Sequence, residues 1–163
     1  MADDANPPSD DERLAQIAGV LADRVESVVP GWIERLVVER VAAWQGEVAD
    51  GVRAEAVTAG EAARAEVGPA MRGLLATDID EQTANPLELL RVATHHAHAV
   101  LARHGMPPVR RDEFAERSFP ADVYDLMPAT WGDVDPSLHE PGIAWGAAKA
   151  FVHKARRRAE GRT

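Results

Sequence analysis

The sequence predicts an all-α fold, a compact bundle of about five to seven helices with a long irregular, proline- and aromatic-rich segment packed across it. Three observations carry that expectation. Apolar residues recur at three-and-four spacing along most of the chain, the signature of one buried face on a helix. No stretch alternates apolar and polar residues as a half-buried strand would, and no hairpin dipeptide of the Asn-Gly type occurs. Between Gly105 and Gly146 periodicity stops, and six of the eleven prolines and five of the eight aromatic residues crowd into that stretch.

Taken in order, Met1 to Asp10 is an acidic, proline-bearing leader, expected to be disordered and to precede a single helical domain over 11–158 and a flexible tail over 159–163. Ser9 or Asp10 can cap a first helix whose apolar residues Leu14, Ile17, Ala18, Leu21, Val25 and Val28 share one face. Pro30 lacks the N–H that continues a helical ladder. The next series, Ile33, Leu36, Val37, Val41 and Trp44, therefore reads as a second helix or a sharply kinked continuation, with Gly46 as its end.

Glu47 to Val67 is rich in alanine and glutamate, and Val48, Val52, Val57 and Ala63 mark a thin apolar stripe on a helix weakened by Gly51 and Gly60. Pro69 fits a new helix start, with Met71, Leu74 and Leu75 behind it. Asn85-Pro86-Leu87-Glu88 is the clearest local signal: a capping residue, proline at the first helical position, and a glutamate able to return to the cap. That helix runs through Leu90, Ala93, Ala97 and Leu101 to His104. Gly105 can take the left-handed conformation that closes it. Within the irregular segment Asp112 can cap a short helix to Arg117. From Pro141 a last helix carries Ile143, Ala144, Ala147, Ala148, Phe151, Val152 and Ala155 on one side.

Composition narrows the functional classes. The chain has no cysteine, which excludes disulfides, thiolate catalysis and Cys-ligated metal centres. The N-terminus lacks the basic and apolar regions of a signal peptide, and no apolar run approaches the roughly 18 residues of a membrane span, so a cytoplasmic protein with no membrane association is expected. The formal charge is −9, yet Lys149 to Thr163 holds six basic residues and one acid. An acidic body repels nucleic acid at long range, and the Lys154 to Arg158 cluster lacks interleaved aromatics, so nucleic-acid binding is not expected.

The run PPVRRDEF, followed by ERSFPADVYDLMPATWGDVDPSLHEPGIAWGAAKAFVHKARRR, resembles an uncharacterised family of small all-helical proteins from high-GC actinobacteria. The resemblance covers Glu66 to Arg158. It implies a recurring fold and carries no activity with it. The first two helices also resemble the helical sensor modules that precede signalling domains, some of which are globins without haem.

Two constellations could bear function. Phe119, Tyr124, Trp131 and Trp145 bring large apolar areas with polar N–H and O–H handles, the make-up of a binding surface for a protein partner or a small apolar ligand. The same residues can equally be the glue that fastens the segment to alanine-faced helices. The alternative is a metal site. His95 and His98 lie three residues apart on one helix, and Asp133, Asp135 or His139 could complete a ligand set for a metal-binding protein or metal-dependent enzyme. Asp135 and Glu140 each precede a proline and fit helix caps better than catalysis. Phosphate loops, nucleophile elbows and dinucleotide fingerprints are absent, so the leading expectation is a non-enzymatic interaction or regulatory domain without cofactor.

Overall fold

The computed structural model describes residues 7–77, 86–106 and 139–161, which form four helices and no strand among the described residues: α1 (Asp10–Gln45), α2 (Asp50–Ala76), α3 (Pro86–Arg103) and α4 (His139–Ala159). The all-α class is as expected. No new helix starts at Pro69, and at Pro30 the chain takes the continuation and not the separate second helix, since each proline lies inside one continuous helix. Burial on both sides explains why. Val29 and Ile33 flank Pro30, Val67 and Met71 flank Pro69, and all four are almost fully removed from water. Proline in a helix interior costs about 3 kcal/mol, and tertiary packing of the flanking apolar face offsets that cost.

The helix ends follow local chemistry. Ser9 forms a capping box with Glu12, its hydroxyl accepting the Glu12 N–H at 3.3 Å while its own N–H donates to the Glu12 carboxylate at 2.7 Å. Gly46 ends α1 with φ +79° and returns its N–H to the Ala42 carbonyl. Gly105 ends α3 with φ +74°, and the Met106 N–H reaches back to the Leu101 carbonyl. The last helix begins at His139, two residues before the Pro141 start read from the sequence.

Helices α1 and α2 form an antiparallel pair. Pro30 lies against Gly60, Glu26 against Gly68, and Arg72 reaches Asp23 at 2.6 Å and Glu26 at 3.0 Å. The stripe Ala56, Ala59, Gly60, Ala63 and Val67 keeps the inner face of α2 narrow, so α1 approaches closely. Helix α3 runs antiparallel to α2, with His96 beside Glu66 and Arg103 beside Glu55. It also packs on α1, which makes a three-helix core around Ile33, Val37, Ala63, Leu75, Leu90 and Ala97. Helix α4 lies along α1 and contributes Trp145, Ala148 and Val152 to the same core, while among the described residues it scarcely touches α3.

The carbonyl end of α2 has no basic residue in its own last turn. Helix α4 supplies the cations instead. Lys149 Nζ donates to the Leu74 carbonyl at 2.6 Å and to that of Thr77, and the Arg156 guanidinium donates to the Ala76 carbonyl at 2.6 Å. Positive charge there complements the negative pole of the helix. Lys149→Met keeps most of the stem and removes the donors; it should lower stability by about 1 kcal/mol, since the charged bonds are partly open to water. Urea unfolding reads this directly, and an unchanged midpoint would show that water serves those carbonyls as well.

Candidate functional site

The three histidines of α3 and His104, just beyond its end, separate around the helix. His95 points to solvent and His98 is half-buried. His96 turns toward α2, where its Nε2 lies 2.5 Å from the Glu66 carboxylate, and His104 Nε2 lies 3.2 Å from Glu55. Arg103 shares Glu55, with Nε at 3.0 Å and a terminal nitrogen at 2.9 Å. That hydrogen bond from Arg103, with lesser help from His104, holds the Glu55 carboxyl below the usual carboxylate range against the opposing effect of burial.

Two of the four histidines are thus placed to tie α3 to α2, and neither belongs to the pair that spacing singled out. Among the described residues no three His, Asp or Glu side chains gather as a metal ion requires. The proposed further donors Asp133 and Asp135, and the side chain of His139, lie outside the described residues. So do Phe119, Tyr124 and Trp131 of the aromatic set, together with the short helix expected from Asp112 and the caps at Asn85 and Asp135.

Trp145 is described. It is 4% exposed and sits in the core with Ala148 and Val152, held by α4 rather than displayed on the surface. At the other end of the 105–146 segment, Met106 is partly buried against the same core. Met106 and Trp145, on either side of residues 107–138, thus both contact the one core.

Two further features escaped the sequence reading. A shallow cleft of about 350 Å³ opens where the first turns of α1, the end of α2 and the last turns of α4 meet, walled by Leu14, Ala18, Ala76 and Val152 with Asp11 and Arg156 at its edge. Trp32 is the second. It is 4% exposed, and its indole Nε1–H is the one buried side-chain polar atom among the described residues that finds no hydrogen-bond acceptor. The spacing Val25, Val29, Trp32 would have placed it on the inner face, but an unmatched donor is a property of what surrounds it. The chain matches no protein-family model, no curated protein and no solved structure.

Proposed function

We propose that this chain is a non-enzymatic helical interaction domain, binding a protein partner or a small apolar ligand at a surface shaped by its 105–146 segment. The observation that carries the reading is the anchoring of both ends of that segment in one hydrophobic core, through Met106 after α3 and through Trp145 in α4. A connection of that length in a compact domain is most often functional, and a sequence rich in aromatics with few polar groups suits a ligand surface. The engagement of Lys149 and Arg156 with the end of α2 supports a structural use of the basic tail over a nucleic-acid one.

The test is a fragment titration of the isotope-labelled full chain followed by amide and indole resonances. Shifts concentrated at Met106 and Trp145 are expected, with the first turns of α2 unmoved. Shifts confined to the Asp11–Arg156 cleft, or none with any fragment, would sink the proposal. Submicromolar affinity for DNA or RNA at about 150 mM salt, where charge screening acts over about 8 Å, would overturn it as well.

A further inference from the structure

We infer that the cleft between the ends of α1, α2 and α4 binds a small organic cation, a primary ammonium carried on an apolar chain. The site is separate from the 105–146 surface, and neither Met106 nor Trp145 lines it. Its volume of about 350 Å³ falls at the small end of the range for ligand pockets, and its make-up follows theirs. Six of its ten lining residues are apolar, Leu14 and Val152 the largest, and the other four are charged. The walls therefore take a short apolar chain, and the charges decide its head group.

Asp10, Asp11 and Glu160 bring three carboxylates against the single guanidinium of Arg156. That guanidinium is already directed to α2, where it donates to the Ala76 carbonyl at 2.6 Å. Asp11 forms no ion pair or side-chain hydrogen bond among the described residues, and Asp10 reaches Arg13 only at 4.0 Å, on the exposed surface. Helix poles add to this. The carbonyl ends of α2 and α4 meet the amide end of α1 at the cleft, and Asp10 and Asp11 in the first turn of α1 more than offset its positive pole. Lys154, Arg157 and Arg158, the other cations of the last turns of α4, are exposed and do not line the cleft. An anion would meet three carboxylates here, whereas an ammonium pairs with them while its chain covers Leu14 and Val152.

Hexylamine, 1-hexanol and hexanoate are matched probes that differ in the head group, and at about pH 7 the amine is protonated, as lysine is. Titrated into the isotope-labelled full chain, hexylamine should shift the amide resonances of Leu14, Ala18 and Val152. It should bind about fivefold more tightly than hexanol, the scale of one partly exposed ion pair, and hexanoate should bind more weakly than either. The advantage should shrink at about 1 M salt, where screening acts over about 3 Å. Asp10→Asn combined with Asp11→Asn should bring the amine down to the alcohol. Ala15→Leu, which fills the cleft from an exposed position on α1, should weaken both and leave the urea midpoint near that of the wild type. Equal binding of amine and alcohol, tighter binding of hexanoate, or amine shifts that spare the cleft would each overturn the assignment. The head-group series is read on the wild type, so it decides the matter even if the paired asparagine variant does not fold.

Discussion

Gly60→Val should destabilise the fold by about 3 kcal/mol, at the upper end of what overpacking costs. A Cβ built at Gly60 would stand 2.6 Å from the Pro30 carbonyl oxygen and 2.9 Å from its Cα. Both are backbone atoms of the facing helix, so no side-chain rotation relieves the clash. The helices must part. Parting α1 from α2 would loosen the Ala56, Ala59 and Ala63 contacts that depend on the close approach. Gly73 on the same helix is the control, because an added Cβ there meets nothing within 4 Å. Gly73→Ala should stabilise by about 0.4–1 kcal/mol through the unfolded chain. Opposite signs at two glycines of one helix, measured by thermal or denaturant unfolding, would confirm the close crossing; stabilisation at both would refute it.

Ile33→Ala should cost about 2–5 kcal/mol, the range for truncating a large aliphatic side chain in a close-packed core. Ile33 is 0% exposed and sits on α1 between Val29 and Val37, which are almost as fully buried. Because α1 packs against each of the other three helices, a cavity at its centre has no single neighbour able to collapse into it. Val20, 67% exposed on the same helix, provides the comparison. Val20→Ala should stay within about 0.5 kcal/mol of the wild type. A loss below about 1 kcal/mol for Ile33→Ala, read from the urea midpoint, would show that the centre of α1 is not tightly enclosed.

What the sequence made legible was local. Ser9 announces the start of α1, and Gly46 and Gly105 its end and that of α3, because caps need only neighbouring residues. Periodicity served less evenly: of the stripe read on α4, Ala148 and Val152 reach the core but Phe151 is exposed, as are Trp44 and Val57 of the stripes read on α1 and α2, while Trp145, not read on that stripe, is buried. Pro30 left a separate helix and a continuation both open because a missing N–H argues against an unbroken ladder, whereas Gly60, which accepts the proline backbone on the facing helix, stands thirty residues later. His96 and Glu66 are likewise thirty residues apart, so no spacing rule could join them. The proposed binding surface was legible only as a composition, and its aromatic residues apart from Trp145 are outside the described structure. The unmet donor of Trp32 is encoded by no linear pattern.

The clasp on the end of α2 sets an order in time. The carbonyls of Leu74, Ala76 and Thr77 wait for side chains 75, 80 and 72 positions further along. At synthesis rates of about 5–20 residues per second, that separation is a delay of roughly 4–15 s. During it the α1–α2 hairpin has emerged, with the open end of α2 served by water alone. A nascent chain stalled before α4 would present that end, and the flank of α1 that Trp145 later covers, to the quality-control machinery of the cell.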